Sequence, residues 1–216
     1  VKARRNEQNR WNKYKVDVPL GKSGDWAVER FDVSKEESTM HELSCMFGSG
    51  GIGAGRAVAP GTYTRLVHRS SIIMSDTPAE IRDHVPFIGT SYGRVLITGL
   101  GLGMVAQACL KRREVKSVTV IELEQDVIDL VGPHYLSKWP NLEIWHGDAL
   151  TMKIKPNTKW DVAWHDIWPT ICADNLPTMK RLHRRFGGRI VAHQSSWARG
   201  QCEQLYQREP RFGWVI

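Results

Sequence analysis

One run constrains this chain more than any other: Gly93-Arg94-Val95-Leu96-Ile97-Thr98-Gly99-Leu100-Gly101-Leu102-Gly103. A short, β-branched apolar segment reads as a buried strand, and three alternating glycines end it. A second apolar run, Val118-Thr119-Val120-Ile121, closes on Glu122. Strand, glycine turn, helix and second strand ending in a carboxylate form a unit suited to an adenosine-bearing ligand. The glycines let backbone approach the ligand where a Cβ would collide. The carboxylate accepts from the two hydroxyls of a ribose, and Glu122 follows the turn at about the twenty-residue spacing such contact needs.

The glycine pattern discriminates between ligands. A dinucleotide fingerprint needs G-x-G-x-x-G/A, and Met104 stands at the third position here. Its side chain holds helix and strand apart, which disfavours an NAD-dependent oxidoreductase. The pattern G-x-G-x-G instead resembles motif I of class I S-adenosylmethionine (SAM)-dependent methyltransferases, although a tight structural turn would use the same residues. Two later segments agree. Asn141-Leu142-Glu143-Ile144-Trp145 reads as a third strand followed by His146-Gly147-Asp148-Ala149-Leu150. That is similar to the "GDA" segment of SAM-binding folds, which implies that Asp148 accepts from the adenine amino group. Lys159 to Asp166 reads as a fourth strand ending in a carboxylate. Ligands of open α/β sheets sit beyond the carboxyl ends of the strands. The expected cofactor contacts are therefore Gly99, Leu100, Gly101, Gly103, Glu122, Leu123, Asp148, Ala149 and Asp166.

Bulk properties narrow the class. A chain of 216 residues buries one good-sized core and a small appendage. No apolar run reaches the ~20 residues of a membrane helix, and Val1 to Lys15 is polar and basic, unlike a secretory signal. The four cysteines (Cys45, Cys109, Cys172, Cys202) are scattered without C-x-x-C, which argues against a disulfide framework and against a zinc or other metal site. A cytoplasmic protein is the expectation. The net charge of +7 is concentrated in Lys2–Lys15 and in Lys180, Arg181, Arg184, Arg185 and Arg189. Such patches suit nucleic acid, or are a basic tail and a solvated helix face.

The chain divides into three parts. Residues 1–24 read as a flexible basic arm. Residues 25–92 read as an N-terminal extension: a strand around Trp26–Phe31, a helix from a capping box at Ser34 to Phe47, a loop over Gly48–Gly55, a hairpin of Tyr63–Val67 and Ser71–Met74, and a helix opened by Thr77, Pro78 and Glu80. Ile81, Val85 and Ile88 are that helix's expected buried residues. Residues 93–216 read as a Rossmann-like domain whose later elements are a helix over Asp174–Phe186, a fifth strand over Arg189–His193 and a last helix around Gln201–Gln207. Little room follows residue 196 for two further strands, so the expectation is that either the fold is abbreviated or its C-terminal strands are missing.

From Gly61 to about Thr170 the chain resembles the spermidine synthase-like branch of SAM-dependent methyltransferase folds. "VLITGLGLG", "VTVIELEQDVI" and "NLEIWHGDAL" fall in the order of its cofactor segments, and the hairpin and helix fall where it carries a small N-terminal β element. Trp164-His165-Asp166-Ile167-Trp168-Pro169-Thr170 also looks like small methyltransferase-like proteins of actinobacteria and phages. The resemblance implies an α/β fold with a mostly parallel, doubly wound sheet, and SAM or decarboxylated SAM as cofactor. One departure matters. Aminopropyltransferases of that branch follow the fourth strand with an Asp-Ser-Ser-Asp-Pro type loop, whereas Asp166-Ile167-Trp168-Pro169 lacks the second acid. Nor is it the Asn-Pro-Pro-Tyr type loop of DNA amino-methyltransferases. Methyl transfer to a small-molecule acceptor is the leading expectation, ahead of aminopropyl transfer and of a non-catalytic SAM- or nucleic-acid-binding accessory role, with a homodimer allowed.

Methyl transfer requires an aligned nucleophile, exclusion of water and removal of a proton. Asp166 is the expected catalytic base, or else only a hydrogen-bond partner of the cofactor. His165 is adjacent, and strand alternation points it to the opposite face. Trp168 is an expected substrate contact able to stack on a ring or hold a cation. His193, read at the end of the fifth strand, and Asp76, if the N-terminal element closes over the site, are further substrate candidates, Asp76 sharing that condition with Glu80. Most of the nine tryptophans are expected in the core.

Overall fold

The computed structural model describes residues 10–47 and 56–208, so the glycine loop over Gly48–Gly55 and the last residues of the chain lie outside the described part. An antiparallel sheet of four strands comes first, in the order β1-β2-β3-β4. Its strands are β1 (Gly21–Ser23), β2 (Trp26–Val33), β3 (Gly61–His68) and β4 (Ser71–Ser75), with helix α1 (Lys35–Phe47) between β2 and β3 and helix α2 (Pro78–Thr90) after β4. The capping box of α1 forms as expected: Glu37 N–H donates to Ser34 Oγ at 3.1 Å, and Ser34 N–H donates to Glu37 Oε2 at 2.7 Å. The box expected at α2 is displaced. Thr77 makes no side-chain cap, and Glu80 reaches past it to accept from both Ser75 N–H and Ser75 Oγ, each at 2.7 Å.

The second sheet is parallel throughout. Strands β5 (Gly93–Thr98), β6 (Val115–Glu122), β7 (Leu142–His146), β8 (Trp160–His165) and β9 (Ile190–Ser196) run in the order β7-β6-β5-β8-β9. Helices α3 (Met104–Leu110), α4 (Gln125–Leu136), α5 (Asn175–Gly187) and α6 (Arg199–Arg208) complete the chain's described elements. Val95, Leu96 and Ile97 are at most 2% exposed, because a parallel sheet covered on both faces needs continuous apolar strands rather than alternation. The strand order reverses between β5 and β8, which opens a crevice at their carboxyl ends. This is the Rossmann-like α/β architecture with a small β-containing extension that the sequence predicts.

One expectation is corrected here. The arm of residues 1–24 is structured from residue 10: a helical turn spans residues 10–12, β1 pairs with β2, and Trp11, Val16 and Val18 are buried in the same core as β5 and β6. Gln107 Nε2 donates to the Lys15 carbonyl, Val16 N–H donates to Asp76, and His134 and Lys138 both hold Asp17. The Lys138 ammonium, with His134 behind it, keeps the Asp17 carboxyl down at about 2. Three isolated apolar residues among charges carry no periodicity, so only their docking onto α3 and α4 reveals them. Among the described residues, no helix is long and apolar enough to cross a membrane.

Candidate functional site

A cavity of about 560 Å³ lies between the carboxyl edge of the parallel sheet and the inner face of the small sheet. Its floor is the set of strand ends the sequence singles out: Gly99–Gly101 after β5, Glu122–Glu124 after β6, Gly147–Leu150 after β7 and Asp166–Pro169 after β8. Its roof comes from Trp26, His68 and Met74, and α2 contributes Glu80 and His84. The volume is ordinary for a small-molecule site.

The glycine turn is tight for identifiable reasons. Gly99 has φ +94°, and a Cβ there would run into the Asp166 carbonyl oxygen. Gly103 has φ +74°, caps α3 in a left-handed conformation and lies against the Tyr135 ring, whose hydroxyl donates to the Leu102 carbonyl at 2.9 Å. Met104 is buried to 1% exposure at the start of α3 and touches the cavity.

Glu122 is buried and bonded on both oxygens. Leu100 N–H donates to Oε2 at 2.6 Å and Glu124 N–H donates to Oε1 at 2.9 Å. Burial pushes its carboxyl up, and the backbone donors pull it down. Each oxygen keeps a second lone pair, so the pair of oxygens can still accept from a diol. Asp148 lines the cavity while accepting from Leu150 N–H at 2.7 Å and Thr151 Oγ1 at 2.8 Å, which fixes the turn that carries Ala149. Leu123 is exposed but borders the cavity, while Ala149 is buried against it.

Asp166 stands in different surroundings. Burial, with the Glu80 carboxylate next in importance, pushes its carboxyl up to about 7. His84 Nε2 lies 3.8 Å from Asp166 Oδ2, and the two side chains are 3% and 22% exposed. Burial drives the His84 imidazole down to about 3, so the ring is neutral. Among the described residues, two buried side-chain atoms lack a hydrogen-bond partner: His84 Nδ1 and Trp164 Nε1. Both belong to rings beside Asp166, and the His84 and Trp164 rings meet edge to face at 5.6 Å. Unmet buried polar atoms are uncommon, and here both rings adjoin one carboxylate. His165 points to the other side of β8 as alternation requires, bonding Thr98 Oγ1 at 3.1 Å and Gln194 Oε1 at 3.0 Å.

The substrate candidates separate. Trp168 is 9% exposed and lines the cavity beside Asp166, with Trp197 from the end of β9. Asp76 does not reach the cavity: it is 1% exposed and accepts from Thr64 N–H at 2.7 Å and Val16 N–H at 3.2 Å, tying the N-terminal segment to β3. His193 does not reach it either, because β9 runs on to Ser196 and leaves His193 paired with Val162 inside the sheet. Glu80 and His84 reach the cavity instead. They share a face as an i, i+4 pair, but Val85 reads as the buried residue of that turn, whereas the structure buries Ala79, Ile81, His84, Phe87 and Ile88.

Among the described residues, the cavity is lined by Glu80, Glu122, Glu124, Asp148 and Asp166 and by no Lys or Arg, on a chain of net charge +7. Within the basic stretch, Arg185 donates to the Ala149 and Met152 carbonyls and Arg189 to the Lys155 and Thr158 carbonyls, leaving Lys180, Arg181 and Arg184 exposed.

A scan against protein-family models finds no match, and neither does a search of curated proteins. Solved structures do show similarity. A dimethyladenosine transferase from Plasmodium falciparum is 25% identical, with 40% of this chain matched to 30% of that one at a TM-score of 0.34. The CcbJ methyltransferase from Streptomyces caelestis is 14% identical, with 53% matched to 47% at 0.43. A SAM-dependent methyltransferase from Clostridium acetobutylicum is 15% identical, with 53% matched to 44% at 0.36. The matched part spans less than half the length of each of these chains.

Proposed function

We propose that the cavity binds SAM and that the chain transfers its methyl group to a small-molecule acceptor beside Asp166. The observation that carries this reading is Glu122: a buried carboxylate at the end of β6, adjoining the glycine turn, with one lone pair on each oxygen still available to a ribose. The residues fit the cofactor. Gly99 and Gly101 leave the turn without side chains, and Asp148 lines the same cavity, where on this reading it accepts from the adenine amino group. When bound, SAM supplies a methyl carbon already activated on a sulfonium. The chain then has to orient the acceptor, exclude water and take one proton. A carboxyl near 7 suits Asp166 to that last task at neutral pH. Trp168 and Trp197 wall the acceptor side and keep it dry.

A second reading, aminopropyl transfer from decarboxylated SAM, is favoured by one observation. Among the described residues, five carboxylates and no Lys or Arg line the cavity, so a ligand lacking its own carboxylate meets less repulsion, and Glu80 supplies a second acid absent from the loop after Asp166.

Calorimetric titration with SAM, decarboxylated SAM and NAD tests both. SAM is expected to bind most tightly, and Glu122→Ala to weaken it by about 100-fold or more, given that two hydrogen bonds to a charged group are lost. Tighter binding of decarboxylated SAM would favour the second reading. No binding of any of the three, or binding indifferent to Glu122→Ala, would overturn the cofactor assignment.

A further inference from the structure

Building on the reading of Asp166 as the group that takes the acceptor's proton, we propose that His84 is its positioning residue. In this arrangement the neutral ring donates its Nε2–H to the Asp166 carboxylate, aims it into the cavity and keeps it able to accept a proton.

A neutral imidazole carries one N–H, on either nitrogen. With the proton on Nδ1, a buried donor has no partner, and the bare Nε2 lone pair faces a carboxylate oxygen 3.8 Å away. With the proton on Nε2, the N–H faces Asp166 and only an acceptor lone pair stays unmet, the cheaper of the two arrangements. The 3.8 Å separation is longer than a hydrogen bond. The proposed arrangement brings the two groups about 1 Å closer. The ring itself is held by burial and by its edge contact with Trp164.

The surrounding charges give this donor its importance. Glu80 and Asp83 from α2 and Glu122 from β6 all face Asp166 and oppose its ionisation. The nearest cation acting on His84 is Arg56, which is paired with Asp83 at 2.7 Å. Donors beside Asp166 therefore bear on whether it holds its proton at neutral pH: the Trp164 indole already lowers its carboxyl, and His84 Nε2 lies 3.8 Å away.

The test is carbon-13 NMR of protein labelled at aspartate carboxyls, with Asp166 assigned by its absence in Asp166→Asn. In His84→Phe the Asp166 midpoint is expected to move upward by about one pH unit, as loss of a hydrogen bond to a charged group requires. In His84→Gln, whose amide N–H still donates, most of that movement is expected to be reversed. An unmoved midpoint in His84→Phe, or equal movement in both variants, would overturn the proposal, since a purely structural role predicts no difference between them. If His84→Phe gives no dispersed spectrum, His84→Met serves as the donor-free variant in the same comparison. SAM affinity is measured on the same samples. Absence of SAM binding in the wild type would refute the cofactor reading while leaving the His84–Asp166 result to stand or fall separately.

Discussion

Glu122 and Asp166 occupy equivalent places, each at the carboxyl end of a parallel strand and each on the floor of one cavity. Glu122 holds backbone N–H groups at 2.6 and 2.9 Å, whereas Asp166 has His84 at 3.8 Å and a Trp164 indole nitrogen with no partner. Burial raises both carboxyls. The difference lies in what compensates. Around Glu122 the fold supplies its own donors and leaves the outer lone pairs for a ligand. Around Asp166 it leaves a carboxylate, an imidazole and an indole that satisfy one another poorly. The Glu122 side of the cavity is satisfied by its own backbone, and the Asp166 side is not; if the proposed function holds, these are the cofactor half and the acceptor half.

The largest expected effect joins the two halves. Gly99→Ala places a Cβ against the Asp166 carbonyl and asks an L residue to hold φ +94°. Backbone cannot yield as a flexible side chain can, so the variant should lose about 2–4 kcal/mol of stability. Urea denaturation measures this, and SAM binding should disappear with it. Gly99→Ala with native stability would mean that β5 and β8 are not locked together at this turn, and the contrast between a finished and an unfinished half would fail.

The finished half is also the half that is legible in sequence. Gly99, Gly101, Gly103, Glu122 and Asp148 follow one another at fixed spacing within a single β-α-β-α-β run, so local pattern alone brings them to one edge. The hairpin of β3 and β4 is equally open, because two short strand-like runs flank the turn at His68-Arg69-Ser70. The unfinished half draws on elements far apart in the chain. Glu80 and His84 come from α2, Asp166 from the end of β8 and Trp197 from the end of β9. His84 sits among apolar residues of a helix whose stripe could be drawn through Val85 as readily, and only the docking of α2 against Trp164, which meets both His84 and Phe87, selects the imidazole. Trp11, Val16 and Val18 were hidden for the same reason, being too few and too irregular to signal burial before α3 and α4 are in place.

A smaller effect sharpens the electrostatic side of the comparison. A carboxyl whose folded pKa lies above its unfolded value binds more protons folded than unfolded between the two, so stability falls as pH rises through that interval. For Asp166 the interval runs from 3.8 to about 7. Asp166→Asn removes the charge and keeps the shape. The variant should match the wild type below pH ~4 and exceed it by about 2 kcal/mol at pH ~8, after discounting for the part of Asp166 open to water. Denaturation midpoints across pH read this directly. A parallel pair of curves would mean that Asp166 is ionised without cost and that the acceptor half is not frustrated.

The smallest expected effect concerns His193, which the sequence places among the substrate contacts and the fold does not. Its Nε2 lies 3.5 Å from Thr90 Oγ1, its ring meets Phe87 edge-on at 6.3 Å, and it pairs with Val162 within β8 and β9. Strands rise about 3.3 Å per residue, so three residues of β9 beyond His193 set it back about 10 Å from the edge where ligands bind. Residues at that edge are Ser196 and Trp197, and Trp197 lines the cavity. His193→Ala should therefore change stability by no more than about 0.5 kcal/mol and leave SAM affinity unchanged. A marked loss of binding would extend the acceptor half along the Thr90 end of α2, and would mean that the unfinished region is larger than the three groups around Asp166. An unchanged affinity confines the functional edge to the strand termini, where the position of β9's last residue, rather than the presence of a histidine on it, decides what the ligand can reach.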